Sequence, residues 1–423
     1  MTGAVPSLKD FARVWLKIGV TSFGGPAAHI ALMHRVLVDE QKWLTERQYL
    51  NALSFCMLLP GPEAMQLAAW SGWRLHGLRG GLIAGLSFIL PGAAVVLVLA
   101  ALYGAFGAAP LVQALFLGIK AAVIVIVVQA LANISRRALK RPDQWALAGL
   151  AFLAIFFLGV PFPVIILCAA VYGYLTSTGP VGELQAPDPL SFRNTARTAA
   201  TWLAIWLVPL GALWLALGGD SILVQIGVLF SKLAVVTFGG AYAVLAYLSQ
   251  EVAIQREWLT ANEMIDALGL AETTPGPLIL VTEFVAYLAG NKAGGALMGV
   301  TAAIVGLWMT FAPCFLWVFT GAPFIDRLEH APKLRGALSA ITASVVGVIL
   351  NLALWFALHA SFANVERETL GFLQAWVPDL TTFDWRMAAL AGIAAVLILK
   401  LKWGLGRVLP AMAALGWLVS LAG

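Results

Sequence analysis

The sequence predicts an all-α polytopic membrane protein made of two inverted-topology repeats, with interrupted or re-entrant helices near the midplane. Three observations predict it. Apolar runs near twenty residues recur from end to end in a chain that is 61% hydrophobic and 11% charged, as in helical membrane proteins. The segment Thr21-Ser22-Phe23-Gly24-Gly25-Pro26 returns as Thr237-Phe238-Gly239-Gly240, an offset of 215 from Phe23 to Phe238. The same offset carries Trp43-Leu44-Thr45 onto Trp258-Leu259-Thr260 and Pro60-Gly61-Pro62 onto Pro275-Gly276-Pro277. Thirdly, loop charges reverse between the copies. Arg136, Arg137, Lys140 and Arg141 follow the second long span of copy one, whereas the counterpart loop after Leu358 carries Glu366, Arg367 and Glu368. The loop at Gly104–Pro110 is uncharged, and its counterpart carries Arg327, Lys333 and Arg335. Cytoplasmic loops are the Lys/Arg-rich ones, so the copies read as oppositely oriented, with the N-terminus cytoplasmic.

Taken in order, residues 1–177 form the first repeat, 178–220 a linker plus one inverting transmembrane helix, and 221–423 the second repeat. The first apolar segment, Phe11 to Phe23, is too short to cross about 30 Å of hydrocarbon. Gly24-Gly25-Pro26 breaks it, and a short helix runs on from Ala27 to Val38. Thr45-x-x-Gln48 and Thr260-x-x-Glu263 read as capping boxes that start helices. The first runs to Leu59, is interrupted by Pro60-Gly61-Pro62, and resumes through Arg74. The pattern leaves open whether these are broken spans or re-entrant hairpins. Long spans are expected at Gly81–Phe106 and Leu111–Ile134, then a hairpin at Trp145–Val160 and Pro163–Thr176. Thr178–Asn194 is polar and Pro-rich, and Ala199–Leu217 is the span that inverts the second copy. Copy two repeats the order: interrupted helices from Ile222 to Ala289, spans at Gly294–Phe319 and Leu334–Leu358, and a terminal hairpin from Trp385.

Several classes drop out. No dyad alternation suggests a membrane barrel, and the basic residues punctuate loops without forming a nucleic-acid-binding patch. Met1 to Ile18 lacks the pattern of a secretory leader. Cys56, Cys168 and Cys314 lie in apolar segments without metal spacing and are expected to be buried. No nucleophile–base set, phosphate loop or cofactor motif is read, so an enzyme is not expected.

The candidate site lies at the breaks. A Gly-Gly break permits positive φ, and Pro suits the first turn of the restarting helix. A restart aims free N–H groups and a positive dipole end into the gap, which seats an anion. The candidate binding residues are Phe23, Gly24, Gly25, Pro26, Pro60, Gly61 and Pro62, with Phe238, Gly239, Gly240, Pro275, Gly276 and Pro277 in copy two. Lys17 and Lys232 each lie six residues before the repeated Phe. An intramembrane cation costs about 2.5–3.5 kcal/mol on insertion scales, so it has a partner or a task; together they could neutralise a dianion. Lys120, midway along its span, is either an anion contact or the partner of Glu63. Glu63 and Glu272 flank the Pro-Gly-Pro motifs and either carry coupling protons or cap helices. His29 titrates in the right range to join them.

Phe-Gly-Gly-Pro-x-x-His at Phe23–His29, Trp43-Leu44, Leu59-Pro60-Gly61-Pro62 and Phe88-x-Leu90-Pro91 resemble the chromate ion transporter family. The duplicated Phe-Gly-Gly and Pro-Gly-Pro resemble its long-chain, two-domain members. The resemblance implies a bacterial inner-membrane secondary carrier that exports chromate, with sulfate as the isosteric natural dianion and chromate resistance as phenotype. A dianion leaving a negative interior gains about 4.6 kcal/mol per 100 mV, so export could run on the potential, on proton antiport, or on both. A sulfate or other oxyanion importer and an anion channel are the alternatives. Membrane lipid is the surrounding partner, and a homodimer is admitted but not required.

Overall fold

In the computed structural model, residues 6–177, 189–238, 240–324, 332–371 and 373–421 are described. Gly239, Arg327 and most of the Pro-rich linker therefore lie outside the described residues. Among the described residues, five segments are long and apolar enough to cross a membrane. The chain divides into two units, the first formed by Met1–Ala101, Thr178–Ala241 and Thr274–Arg335, the second by Leu102–Ser177, Tyr242–Thr273 and Gly336–Gly423.

In the first unit, α1 (Leu8–Thr21) is capped by Ser7, whose hydroxyl accepts from the Asp10 N–H. After the break, α2 (Gly25–His34) continues as a π-turn at Arg35–Glu40. Thr45 and Gln48 then close the expected capping box on α3 (Glu46–Cys56). The ring of Phe11, near the start of α1, stacks on Trp43 (5.7 Å), just beyond α2. It also meets His76 edge-on (4.8 Å). The chain thus enters from one end, turns at Ser22–Gly24, and comes back. It enters again through α3, turns at Pro60–Pro62, and comes back a second time. Both interrupted pairs are helical hairpins, with Phe11, Trp43 and His76 meeting at one end.

The next element, α4 (Glu63–Phe106), is not one straight rod. His76 and Gly77 leave helical geometry, and the arms 63–75 and 78–106 fold back antiparallel. A Cβ on Gly72 would lie 2.8 Å from that of Ala84, and one on Gly85 would lie 3.3 Å from Met65 Cε. The expected span at Gly81–Phe106 is the second arm. Further along, α8 (Pro189–Leu217), α9 (Ile222–Val236) and α12 (Val281–Gly321) pack together, with Trp202 stacked on Phe315 (5.4 Å). Like α4, α12 reverses, here at Gly294–Gly295.

In the second unit, α5 (Pro110–Ala138) packs on α14 (Trp385–Ala395) and α15 (Leu405–Leu421). Ala122, Ile126, Met387, Leu390 and Met412 belong to their shared core. The hairpin of α6 (Pro142–Leu158) and α7 (Phe162–Thr176) meets α13 (Pro332–Ser361), where Gln144 donates to Ser339 (3.0 Å). This unit also holds α10 (Ala241–Ser249) beyond its first residue, a π-turn at Gln250–Gln255, and α11 (Ala261–Thr273).

Two sequence expectations need correction. The segment after α13 is not a plain loop: β1 (Val365–Leu370) and β2 (Leu373–Pro378) pair antiparallel around Gly371 (φ +64°). Cys168 is exposed on α7, whereas Cys56 and Cys314 are buried as expected. A short helix in a hairpin covers only one of its faces, so an apolar run does not by itself bury each of its members in protein.

Candidate functional site

The site grows from how α1 and α9 end. Ser22 and Thr237 are both buried, and each turns its hydroxyl back to donate to the carbonyl four residues earlier, Ile18 (2.6 Å) and Leu233 (2.5 Å). As the residues that end their helices, they have carbonyls with no intrahelical N–H to accept from. Gly276 N–H donates to the Ser22 carbonyl (2.7 Å), and Gly61 N–H donates to the Thr237 carbonyl (2.9 Å). The two bonds join the four break segments crosswise. The offset of 215 that relates the motifs converts one bond into the other (Ser22 to Thr237, Gly61 to Gly276). Positive φ is required at each turn: Gly24 at +94°, Gly61 at +109°, Gly240 at +95° and Gly276 at +90°.

The restarting helices converge on one narrow cleft in the first unit. Pro26 from the start of α2, Glu63 from α4, Ala241 from α10 and Leu278 from the 3-10 turn that leads into α12 all line it. The first N–H groups of a helix have no intrahelical acceptor, and the positive dipole end lies at the same place. Four such ends border this one cleft, whose exposed lining is mostly apolar. Glu63 sits among them; a Cβ on Gly240 would lie 3.6 Å from its Oε1. Nearby, Gln66 donates to the Pro60 carbonyl (2.6 Å) and fixes that turn. His29 also lines the cleft, fully buried and edge-on to Phe88 at 5.5 Å. Neither ring nitrogen of His29 has a hydrogen-bond partner among the described residues.

The profile of the chromate transporter family matches two stretches of the chain, residues 9–174 and 224–418. The chain belongs to the chromate transporter family. It is 31% identical to the chromate transport protein of Pseudomonas aeruginosa over 99% of this chain and 94% of that one. It is 28% identical to a probable chromate transport protein of Synechococcus elongatus over 96% of this chain and 92% of that one. The chromate transport protein of Cupriavidus metallidurans is also 28% identical, over 82% of each chain. No solved structure matches. As a member of this family, the protein is a multi-pass membrane transporter. The two matched stretches begin 215 residues apart, the offset of the repeated motifs.

Of the residues singled out in this chromate transporter family member, the cleft brings together Pro26, His29, Pro62, Glu63 and Pro277. Gly25, Pro60 and Pro275 shape the turns around it. Phe23 is 52% exposed at the tip of the first hairpin, Phe238 is half-buried, and the Pro275–Pro277 turn is buried. Lys17 and Lys232 stand exposed on α1 and α9, before the breaks and outside the cleft lining. Two residues belong to the second unit. Glu272 is buried and accepts from the Tyr242 hydroxyl (2.7 Å). Lys120 pairs with Asp266 Oδ1 (3.5 Å) and donates to Asn262 (3.2 Å), while Tyr103 donates to Asp266 Oδ2 (2.7 Å).

Three buried carboxylates, Glu251, Asp266 and Glu283, are absent from the residues the sequence singled out. Asp266 was detectable by the rule applied to Lys120, an ionisable residue within an apolar helix, and it lies one turn beyond Asn262. Glu283, in the first arm of α12, is 1% exposed and its Oε2 has no partner. It too is a carboxylate in an otherwise apolar run.

Proposed function

We propose that this protein is a secondary carrier that moves chromate out of a bacterial cell across the inner membrane. The observation that carries the reading is the convergence of four helix starts on one cleft together with a carboxylate. Backbone amides bind a tetrahedral oxyanion without needing a fixed cation, so the dianion can be released again. Lys17 and Lys232 supply long-range positive charge along the approach, and Phe23, Gly24 and Gly25 form the open lip. Glu63 is the coupling group: ionised, it occupies the amides itself; protonated, it yields them to the anion. Proton and oxyanion are then held together at one place, so Glu63 couples them as co-transport, with Glu272 and His29 as further proton-holding groups. Lys120 serves the second unit's ion pair.

The crosswise pair of hydrogen bonds supports reading the halves as inverted repeats, since one operation carries each bond onto the other. Inverted repeats with interrupted helices at the midplane are the usual construction of alternating-access carriers. The basic loops support a cytoplasmic N-terminus. Labelled chromate and sulfate fluxes in inverted vesicles, with and without an imposed potential, test the function. Saturable chromate entry into such vesicles, accelerated by an interior-positive potential, is expected. Absence of chromate movement in either direction ends the proposal, while sulfate flux of the opposite sense favours an importer.

A further inference from the structure

A second cleft opens within the second unit, bounded by α6, α10, α13 and the β-hairpin, with about 400 Å³ of empty space that is open to solvent. Three buried polar atoms of residues lining it have no partner among the described residues: the Ser249 hydroxyl, Gln250 Oε1 and the Trp355 indole nitrogen. Ser249 is 3% exposed and Trp355 is 4% exposed. Leaving a buried polar group unpaired costs about 1–3 kcal/mol, so a cluster of three in one cleft points to an external partner. Helix α10 widens into its π-turn at Gln250, and single π-turns of this kind recur at functional sites.

Charge decides what the partner is. Among the residues lining the cleft there is one guanidinium, Arg367, and no carboxylate. Arg367 projects from β1 with its Cζ 5.6 Å from the centre of the Trp376 ring, and it donates to the Gln374 side chain across the hairpin. Glu251, the nearest acid along the chain, is engaged by Arg256 (3.3 Å). His359 stands behind the cleft, its ring 4.5 Å from Trp355 and 5.1 Å from Trp376. An N–H, an O–H and a guanidinium around one space form an anion donor set. A half-turn of the Gln250 terminal amide adds a fourth donor.

We propose that this cleft is a second anion site, one that takes a small tetrahedral oxyanion through Arg367, Trp355, Ser249 and Gln250. The preference for an anion rests on the lining alone. The oxyanion class rests on the proposed carrier function. The full chain in detergent, dialysed to equilibrium against labelled sulfate and against labelled chromate, tests it. Two anions bound per chain at saturation are expected for the unaltered protein. Trp355→Phe combined with Ser249→Ala, and separately Arg367→Gln, should each lower this to one, while Arg367→Lys should keep two. Arg367 is exposed, so its variants test the site without a buried substitution. Unchanged stoichiometry in Arg367→Gln and in the double variant would make the cleft a water pocket and overturn the inference while leaving the carrier reading intact. One anion per chain in the unaltered protein, lost on substitution of residues lining the Glu63 cleft, would do the same. No binding of either anion would overturn both.

Discussion

Substituting alanine at the two crossed glycines separates backbone strain from packing. At Gly276 (φ +90°) a Cβ would lie 3.0 Å from Leu280 Cδ1 and 3.3 Å from Gly92 Cα. At Gly61 (φ +109°) the nearest atoms would be Cys314 Sγ and Gln66 Nε2, both 3.2 Å away. Holding a non-glycine residue at such φ costs about 1–3 kcal/mol. Crowding in a packed interior adds about 1–3 kcal/mol. At Gly276 part of the contact is with backbone, which cannot swing aside, so Gly276→Ala should lose about 2–6 kcal/mol, the sum of the two costs. At Gly61 both contacts are side-chain ends, so Gly61→Ala should be the milder change. Combining it with Cys314→Ala removes the sulfur and should recover that part of the packing share, leaving the φ cost and the Gln66 contact. Unfolding midpoints of the purified proteins in one detergent, read beside chromate efflux, give the comparison. The reasoning is refuted if Gly276→Ala matches the unaltered protein, or if Cys314→Ala fails to improve Gly61→Ala.

Three further outcomes are expected. Glu63→Gln should leave flux driven by potential and abolish its response to a pH gradient across the vesicle; a surviving response removes Glu63 from coupling. Lys120→Met and Asp266→Asn should each destabilise the protein by about 3–5 kcal/mol, the usual cost of orphaning half of a buried pair. The double change Lys120→Met with Asp266→Leu should recover most of that, and thermal midpoints that fall additively would show that the pair is not coupled. Lys17→Ala and Lys232→Ala should each abolish chromate resistance with normal amounts of protein in the membrane. Normal resistance in both variants would exclude the lysines from the approach path.

The breaks were legible in the sequence because Gly-Gly and Pro-Gly-Pro have few other uses in an apolar helix, and because each occurs twice in one register. Their course as hairpins was not legible. It depends on where Phe11 finds Trp43 and His76, three residues whose spacing carries no period. The reversals at His76–Gly77 and Gly294–Gly295 were hidden for a related reason: helical composition continues through them, and only two residues depart from helical backbone. The partner of Lys120 was hidden because Asp266 is distant in the chain and has Asn51 at the matching position of copy one, so the duplication carried no pointer to it. The β-hairpin could have been anticipated from the six-residue segments around Gly371. Its mixed polarity made it resemble an ordinary loop.

The most direct measurement is the location of bound anion in the protein loaded with selenate, a heavier tetrahedral dianion whose scattering identifies it. Selenium in the cleft between Pro26, Glu63 and Pro277, within hydrogen-bond reach of the amides that open α2, α4 and α12, is the expected result. A saturated protein with that cleft empty would contradict it, because the four converging helix starts would then have no anion to hold.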